Sequence, residues 1–329
     1  MNVVRKVGTA ARLFRNLEGV PALSQRLERL LEEILVMSRR LDAAPTRDEL
    51  AEASQKLVDF VRFKFDESDA LRELEETQSL MGQAMRDLLG YSSIRVEIAT
   101  SKPVAVDSLD HLHAWGTKRD NSKNLKFNNK LFRWIPLEKV RVLDIGCSGG
   151  GFVRTVHDAG AFAVGIEGSD YSKVRARAEW KNIPERLFTA DATAPFRIYD
   201  RARGSEDQSL KFSVITAWEF IEHIEEDRLQ AVFTNIDRHL GESGVVLMSV
   251  SPNDDIIDGV NLHRTVRPSG WWMERIGEFG FTHHPDVVAY FSPNNWIRYE
   301  ENAPGSFHLA LTRSGEPLPL GLNQAGGVR

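Results

Sequence analysis

A strand–loop–helix pattern repeats through the second half of the chain and constrains the fold more than any other feature. Short β-branched or apolar runs recur roughly every 25 residues, each followed by a polar or glycine-rich loop and a helical stretch. The runs cover residues 140–145, 163–166, 187–190, 212–217 and 245–250. Because one buried strand alternates with one helix, we predict an α/β fold with a Rossmann-like, doubly wound parallel sheet that carries helices on both faces.

Acidic side chains follow several of these runs where the predicted strands end. Glu167 and Asp191 end the second and third runs, and Glu219 follows the fourth, directly after Trp218. Ligands of doubly wound sheets bind beyond the carboxyl ends of the strands. We therefore expect these carboxylates to lie at one ligand site.

The first run leads into the loop DIGCSGGGF, which spans residues 144–152. Glycines allow a tight turn and a close approach of the backbone to a ligand. A phosphate-binding loop would carry the lysine of GxxxxGK[ST], and a dinucleotide site would carry the last glycine of GxGxxG; this loop has neither. The spacing Asp144-x-Gly146-x-x-Gly149 instead resembles motif I of the class I S-adenosylmethionine-dependent methyltransferases.

This resemblance extends through much of residues 140–313 and implies a seven-stranded sheet with S-adenosyl-L-methionine as cofactor. In that family, the acid ending the second strand binds both ribose hydroxyls, and Glu167, followed by Gly168, matches it. A carboxylate accepts two hydroxyl donors well. The family's acid after the third strand lies near the adenine amino group, and Asp191, followed by Ala192, matches that position.

The same resemblance assigns the methionine part of the cofactor to the glycine loop. Asp144 and the backbone from Gly146 through Cys147 to Gly149 would hold it, and Trp218 would line the sulfonium or adenine side. We expect the thiol of Cys147 to act as a small packing group, since no second cysteine or basic partner accompanies it in sequence.

The stretch WEFIEHI, residues 218–224, places three polar groups in an apolar run. If it is helical, Glu219, Glu222 and His223 share one face, because positions i, i+3 and i+4 are neighbours on a helix. The family resemblance places an acceptor pocket here. We predict that His223 is a general base oriented by Glu222 or Glu219; a packing role for His223 at a helix start is the alternative.

A second resemblance offers a metal site. Small-RNA 3′-terminal 2′-O-methyltransferases hold a divalent ion with Glu-x-x-Glu-His and a later histidine, and Glu219, Glu222, His223 and His263 match those types. Magnesium or manganese would suit such ligands. The residues around His263 depart from that family's His-rich pattern, so the base is our prediction and a divalent metal is the less favoured alternative.

The acceptor is inferred from two further segments. Residues 249–253 (SVSPN) and 267–272 (RPSGWW) resemble insertions of sugar and polysaccharide O-methyltransferases. The resemblance implies methyl transfer to a hydroxyl of a glycan or related small molecule. Trp271 and Trp272 would stack on a sugar or, as we favour, anchor a helix to the sheet. Residues 111–117 are a candidate lid.

The front of the chain has a different pattern. Apolar residues spaced by three and four along 23–41 form a heptad seam, and the capping box at 46–49 starts a second helix that we expect to stop at Gly90. We predict a helical hairpin or coiled coil over 1–90 that makes a homo-oligomer. A linker and substrate-side lid would follow over 91–139, the methyltransferase domain over 140–313 and a flexible tail over 314–329. A non-catalytic scaffold serving these helices is the remaining alternative.

Composition narrows the partners and the compartment. The 329 residues carry a formal net charge of -5, which argues against a nucleic-acid partner. The single cysteine fits a reducing compartment. No apolar run approaches the roughly 20 residues of a membrane helix, and the basic N-terminus lacks the apolar core of a signal peptide. We expect a cytoplasmic protein without a membrane span.

Overall fold

The structure is a computed structural model that describes residues 79–80, 82–203, 208–299 and 301–319. The predicted heptad seam at 23–41 and the capping box at 46–49 lie outside these residues, as does the chain from 320 onward. Residues 82–88 are helical, and Gly90 follows them in the left-handed conformation with φ +72°. The predicted helix stop at Gly90 is therefore confirmed.

A seven-stranded mixed sheet forms the centre of the described part, with the strand order β10-β11-β7-β6-β2-β3-β4. The strands in chain order are β1 (Val96–Thr100), β2 (Arg141–Ile145), β3 (Phe162–Glu167), β4 (Leu187–Thr189), β5 (Phe196–Asp200), β6 (Phe212–Trp218), β7 (Leu240–Val250), β8 (Ile256–Ile257), β9 (Val260–Asn261), β10 (Phe281–His283) and β11 (Phe307–Arg313). Separately, β1 pairs with β5 and β8 with β9, both antiparallel.

All five predicted strands are present, and so is the predicted total of seven. The strand expected at 245–250 starts earlier, at Leu240. The expectation of a parallel sheet holds for β2, β3, β4, β6 and β7. It is wrong for β11, which pairs antiparallel with both β7 and β10 and so runs against the other six strands. An antiparallel neighbour needs no long crossover, so the strand–helix repeat carried no signal for the reversed direction of β11.

Helices cover both faces of the sheet. They are α1 (Leu109–Leu112), α2 (Leu125–Trp134), α3 (Gly151–Asp158), α4 (Tyr171–Val174), α5 (Leu229–His239), α6 (Ser269–Glu278) and α7 (Pro285–Phe291). Short 3₁₀ turns lie at Tyr91–Ser93, Leu137–Lys139, Ala178–Lys181, Arg201–Arg203, Ile221–His223 and Glu226–Arg228. None of the described helices is long and apolar enough to cross a bilayer.

Each face of the sheet has its own buried core because successive strand residues point to opposite sides. On one face, Leu143 of β2 belongs to the core that includes residues of α5 and α6. On the other, Val142 belongs to the core with residues of α2, α3 and α7. The expected anchoring of a helix by tryptophan agrees with the buried Trp272 of α6, while Trp271 packs at the edge of that core.

Two segments before residue 140 pack firmly on this body. In α2, Phe127, Leu131 and Trp134 are buried in the second core, although the sequence predicted a linker and lid there. Arg86, in the helical stretch that precedes Gly90, is buried and donates to the carbonyl of His157 near the end of α3. Both segments therefore contribute to the core that supports the sheet.

Candidate active site

A cavity of about 610 Å³ lies beyond the carboxyl ends of β2, β3, β4 and β6. In the sheet, β2 has β3 on one side and β6 on the other, so the chain changes winding direction beside β2. A crevice at such a switch point is where doubly wound sheets bind ligands. Of the residues chosen from sequence, the cavity is lined by Gly146, Glu167, Gly168, Asp191, Ala192, Trp218, Glu219 and His223.

The glycine loop makes a tight turn at Gly146, where φ is +77°. The backbone N–H groups of Gly146 and Cys147 both donate to the carbonyl of Ile166, at 2.9 and 3.0 Å, and so fasten the loop to the end of β3. A Cβ added at Gly146 would lie 2.7 Å from Cδ2 of Phe220. Glycine is therefore needed here both for the backbone conformation and for the close approach of that ring.

Glu167 is buried at the end of β3, and backbone amides fix its carboxylate. Its Oε2 accepts from the N–H of Ser148 at 2.8 Å, and its Oε1 accepts from the N–H of Ser169 at 3.0 Å. Burial raises the pKa of Glu167, and these backbone hydrogen bonds partly oppose the rise. Each carboxylate oxygen has a second lone pair. Glu167 is thus positioned to accept from two neighbouring hydroxyls in the cavity.

Asp191 opens the loop after β4, and its side chain is also fixed. Its Oδ1 accepts from the N–H and the hydroxyl of Thr193, at 2.8 and 2.6 Å. Its Oδ2 lies 3.7 Å from Nζ of Lys102, whose backbone carbonyl accepts from the N–H of Asp191. The cavity wall here consists of residues 190–193.

Three predicted cofactor residues do not line this cavity. Asp144 is buried and accepts from the hydroxyl of Thr216 at 2.7 Å, and burial raises its pKa to about 7. Cys147 is buried against Gly165, and burial raises the pKa of its thiol. Gly149 is covered by Asn121, whose Oδ1 would lie 2.5 Å from an added Cβ. The sequence motif could not show that these positions face protein, because the covering residues are distant in sequence.

The stretch 218–224 is not an α-helix, so its three polar residues do not share a helical face. Strand β6 continues to Trp218, Glu219 turns the chain with φ +49°, and a 3₁₀ turn follows at Ile221–His223. As a result, Glu219 and His223 line the cavity and Glu222 does not. A non-glycine residue with positive φ is strained, and such strain is most often found at functional sites.

Glu222 lies behind the cavity wall and is fully buried. Its Oε1 accepts from the N–H of Ser251 at 2.8 Å, and its backbone carbonyl accepts from the N–H groups of Arg264 and Thr265. Burial, followed by the nearby charge of Glu219, raises the pKa of Glu222 to about 8. Glu222 thus joins the turn after β6 to the segments after β7 and β9.

His223 faces a carboxylate that the sequence analysis did not select. Its Nδ1 lies 3.1 Å from Oδ2 of Asp110 in α1, an ion-pair distance without the alignment of a good hydrogen bond. Burial lowers the pKa of His223, but the charges of Asp110, Glu222 and Asp255 outweigh it and raise the pKa to about 9. Asp110 directly precedes the candidate lid at residues 111–117. No sequence pattern relates it to His223, so the sequence could not predict this contact.

His263 meets His223 edge to face, with ring centroids 4.6 Å apart. Its Nδ1 lies 2.5 Å from the carbonyl oxygen of Asn253, and burial lowers its pKa. Although the two histidines and Glu219 are close along this wall, no group of three or more His, Cys, Asp or Glu side chains in the described ranges is arranged to hold a metal ion.

The fold and the position of this cavity are those of the doubly wound α/β class, whose members bind ligands at this edge of the sheet. Glu167 offers paired acceptors for a vicinal diol, Gly146 allows a ligand close to the backbone, and residues 190–193 complete the wall. The family model "Methyltransferase domain" matches residues 107–302, which is more than half of the chain. The chain therefore belongs to this family, that of the S-adenosylmethionine-dependent methyltransferases, whose cofactor is S-adenosyl-L-methionine.

Two curated proteins are similar to part of this chain. The chain is 28% identical over 129 residues to the ubiquinone biosynthesis O-methyltransferase of Bartonella quintana, covering 38% of this chain and 47% of that protein. It is 29% identical over 104 residues to the enzyme of that name from Bartonella tribocorum, covering 30% of this chain and 37% of that protein. The chain thus spans less than half the length of these curated relatives.

Among solved structures, the chain is similar to an S-adenosylmethionine-dependent methyltransferase from Mesorhizobium loti. The identity is 16% and the TM-score 0.39, and the match covers 60% of this chain and 100% of that one.

Proposed function

We propose that this enzyme transfers the methyl group to a hydroxyl of a polar, polyhydroxylated small molecule of the sugar or glycan class. The observation that carries the proposal is the polar wall of the cavity beyond β6 and β7. Its charged and hydroxyl side chains are Glu219, Glu225, Arg228, Ser251, Asp254, Asp255, Arg264, Arg298 and Ser306. Hydroxyl-rich ligands are recognised by such donors and acceptors.

Glu219 supplies a free acceptor on this wall. Its Oε2 accepts from the hydroxyl of Ser306 at 3.1 Å, while its buried Oε1 has no hydrogen-bond partner among the described residues. A buried oxygen without a partner costs free energy. Because this oxygen has almost no exposed surface, an acceptor hydroxyl would recover that free energy only after a small rotation of the carboxylate toward the cavity. Two of the three guanidinium groups on this wall are already engaged: Arg264 with Glu225 at 2.6 Å, and Arg298 with Asp120 at 2.9 Å.

His223 is the proposed base for the acceptor hydroxyl. The bound cofactor supplies the methyl group, and the protein supplies position and proton acceptance. The carboxylate of Asp110 orients the imidazole and increases its basicity, while Glu219 holds the hydroxyl by a hydrogen bond. Only the unprotonated imidazole can accept the proton, so we expect the rate to increase with pH.

The names of the Bartonella relatives favour oxygen as the methylated atom, and they raise a phenolic acceptor as the competing class. A planar phenol would be favoured by apolar and aromatic walls. On the wall beyond β6 the aromatic side chains are Trp218 and Phe220, and Trp218 is largely buried in the core. The aliphatic residues there are Ile224, Leu262, Ala303 and Pro304, fewer than the charged and hydroxyl side chains. This balance supports the polyhydroxylated class.

The test is methyl transfer from labelled S-adenosylmethionine to a panel of oligosaccharides, catechols and RNAs with a 3′-terminal diol. We expect label on oligosaccharides, lost in Glu219→Ala, which removes the oxygen that would accept from the hydroxyl. Transfer to catechols or RNA with none to any sugar would contradict the proposal. Glu274→Ala, an exposed carboxylate change on α6, is the matched control and should behave as wild type.

A further inference from the structure

Asn235 lies near the middle of α5 and is 2% exposed. Its Nδ2 donates to the carbonyls of Ala192 and Ala194, at 2.9 and 2.8 Å. Its Oδ1 accepts from a guanidinium nitrogen of Arg238 at 2.6 Å and from the N–H of Phe196 at 3.4 Å. A carboxamide has two donors and two acceptor lone pairs. All four are therefore used: two on the segment that joins β4 to β5, one on Phe196 at the start of β5 and one on Arg238.

This segment forms one wall of the cofactor cavity. Residues 190–193 line the cavity, whereas Asn235 does not. On the sheet side, the N–H of Ala190 donates to the carbonyl of Glu167 at 3.0 Å, and on the outer side the N–H of Asp191 donates to the carbonyl of Lys102 at 2.9 Å. After Asp191, the carboxamide of Asn235 in α5 donates to the carbonyls of Ala192 and Ala194 and so fixes the rest of the segment.

His239 strengthens the same support one helical turn later. Its Nδ1 lies 2.8 Å from the carbonyl oxygen of Asn235, and its Nε2 accepts from the N–H of Ile198 at 3.1 Å. Its ring stacks on Phe196 with centroids 4.8 Å apart. The inner face of α5 thus holds both the segment and the start of β5 through side chains that lie outside the cavity.

We propose that Asn235 is a positioning residue for the cofactor, which fixes the 190–196 segment in the conformation that completes the cavity wall. The role follows from the hydrogen bonds, because two buried carbonyls would lose their donors without the carboxamide and the segment would relax to recover them. The inference goes beyond the proposed acceptor and holds whatever molecule is methylated.

The test uses the full chain and S-adenosylhomocysteine as the probe, with affinity measured by calorimetry. Asn235→Asp preserves size but removes both donors and places a carboxylate oxygen against two carbonyl oxygens. We expect affinity to fall by about tenfold or more, the effect of losing 1.4 kcal/mol. We also expect amide hydrogen exchange to accelerate specifically at residues 191–196, a local effect that a general loss of stability would not produce.

Val232→Ala is the matched control, because Val232 is fully buried one turn earlier on α5 and belongs to the sheet core. It should lower the melting temperature but leave the affinity for S-adenosylhomocysteine within about twofold of wild type. Equal losses of affinity in Val232→Ala and Asn235→Asp would overturn the proposal, as would wild-type affinity in Asn235→Asp.

A second variant decides the question if Asn235→Asp does not fold. Arg238 is partly exposed and donates both to Oδ1 of Asn235 and to the carbonyl of Phe196. Arg238→Gln should weaken S-adenosylhomocysteine by a smaller factor, about threefold, with faster exchange in the same segment. Unchanged affinity and exchange would overturn the proposal. Arg275→Gln on α6, which removes ion pairs far from this segment in sequence, is its control.

Discussion

The imidazole of His223 lies 3.1 Å from the carboxylate of Asp110 and so joins the turn after β6 to α1 across the cavity. The pair links the segment before the glycine loop to the end of the sheet where we place the acceptor. Asp110 is also the largest of the influences that raise the pKa of this imidazole to about 9, ahead of Glu222 and Asp255.

The first prediction concerns the pH dependence of methyl transfer. A pKa raised from 6.5 to about 9 means that His223 is protonated at neutral pH, so the rate should rise with pH up to about 9. Asp110→Asn removes the main cause of the rise and should move this ascending limb to lower pH. Rate–pH profiles of the two proteins measure the shift, and superimposable profiles would show that Asp110 does not tune the base.

The ion pair of His223 and Asp110 also stabilises the folded protein, and this contribution decreases as the pH rises. The folded-state pKa of His223 lies above its ordinary value, so the pair's contribution is fully present below about pH 6.5 and is lost as the pH rises through about 9. The difference in melting temperature between wild type and Asp110→Asn should therefore shrink from pH 6 to pH 9.5. A constant difference would contradict the assignment.

Substitution of His223, together with a chelator, distinguishes its role as a general base from a role as a metal ligand. His223→Ala should lower turnover by roughly 10²–10⁴-fold, the usual range for a positioned base, with the affinity for S-adenosylhomocysteine nearly unchanged. A chelator should then have little effect on the wild type. Loss of turnover on chelation, restored by magnesium or manganese, would instead favour the metal interpretation, and full activity in His223→Ala would make the residue structural.

Glu167 is predicted to bind the cofactor ribose. Glu167→Ala removes a carboxylate placed to accept two hydroxyls and should cost roughly 2–4 kcal/mol of binding, because charge-assisted hydrogen bonds contribute about 1.5–3 each and are not additive. Calorimetry with S-adenosylhomocysteine should show a loss of tenfold or more in a folded protein. Wild-type affinity in Glu167→Ala would show that the ribose does not bind at the end of β3.

Asp144 should limit the stability of the cofactor-free protein. Burial raises its pKa from 3.8 to about 7, so the folded state resists ionisation and loses stability as the pH rises through this range. Asp144→Asn keeps an oxygen that can accept from Thr216 and should stabilise the protein by up to roughly 4 kcal/mol above pH 7, but little below pH 4. Denaturant unfolding at pH 4.5 and 8 tests the difference.

The helical front is predicted to form the oligomer, and the structure indicates where to cut. Deletion of residues 1–78 preserves Arg86 and its contact with α3, whereas a cut at 90 would remove them. We expect the shortened protein to be monomeric and the full chain dimeric or larger by light scattering. If both proteins contain the same number of chains per particle, the oligomer contact lies outside residues 1–78.

Local patterns in the sequence are sufficient to predict the parallel part of the sheet and its binding edge. A buried strand, a glycine turn and a terminal carboxylate are consecutive in the chain, so local sequence alone selects Glu167, Asp191 and Gly146, and all three line the cavity. Strand β11, which runs against the other six, and its neighbour β10 are not placed by these patterns, because their pairing depends on residues far apart in sequence.

Only the tertiary structure decided which polar groups share a surface. The positive φ of Glu219 separates it from Glu222, although a helical conformation would place both on the same face. Asp110 reaches His223, and Asn235 reaches the carbonyls of Ala192 and Ala194, through chain segments that no spacing relates. The sequence determines periodicity and turn chemistry because both are local. It leaves open which distant side chains meet, because packing of the whole core selects those contacts.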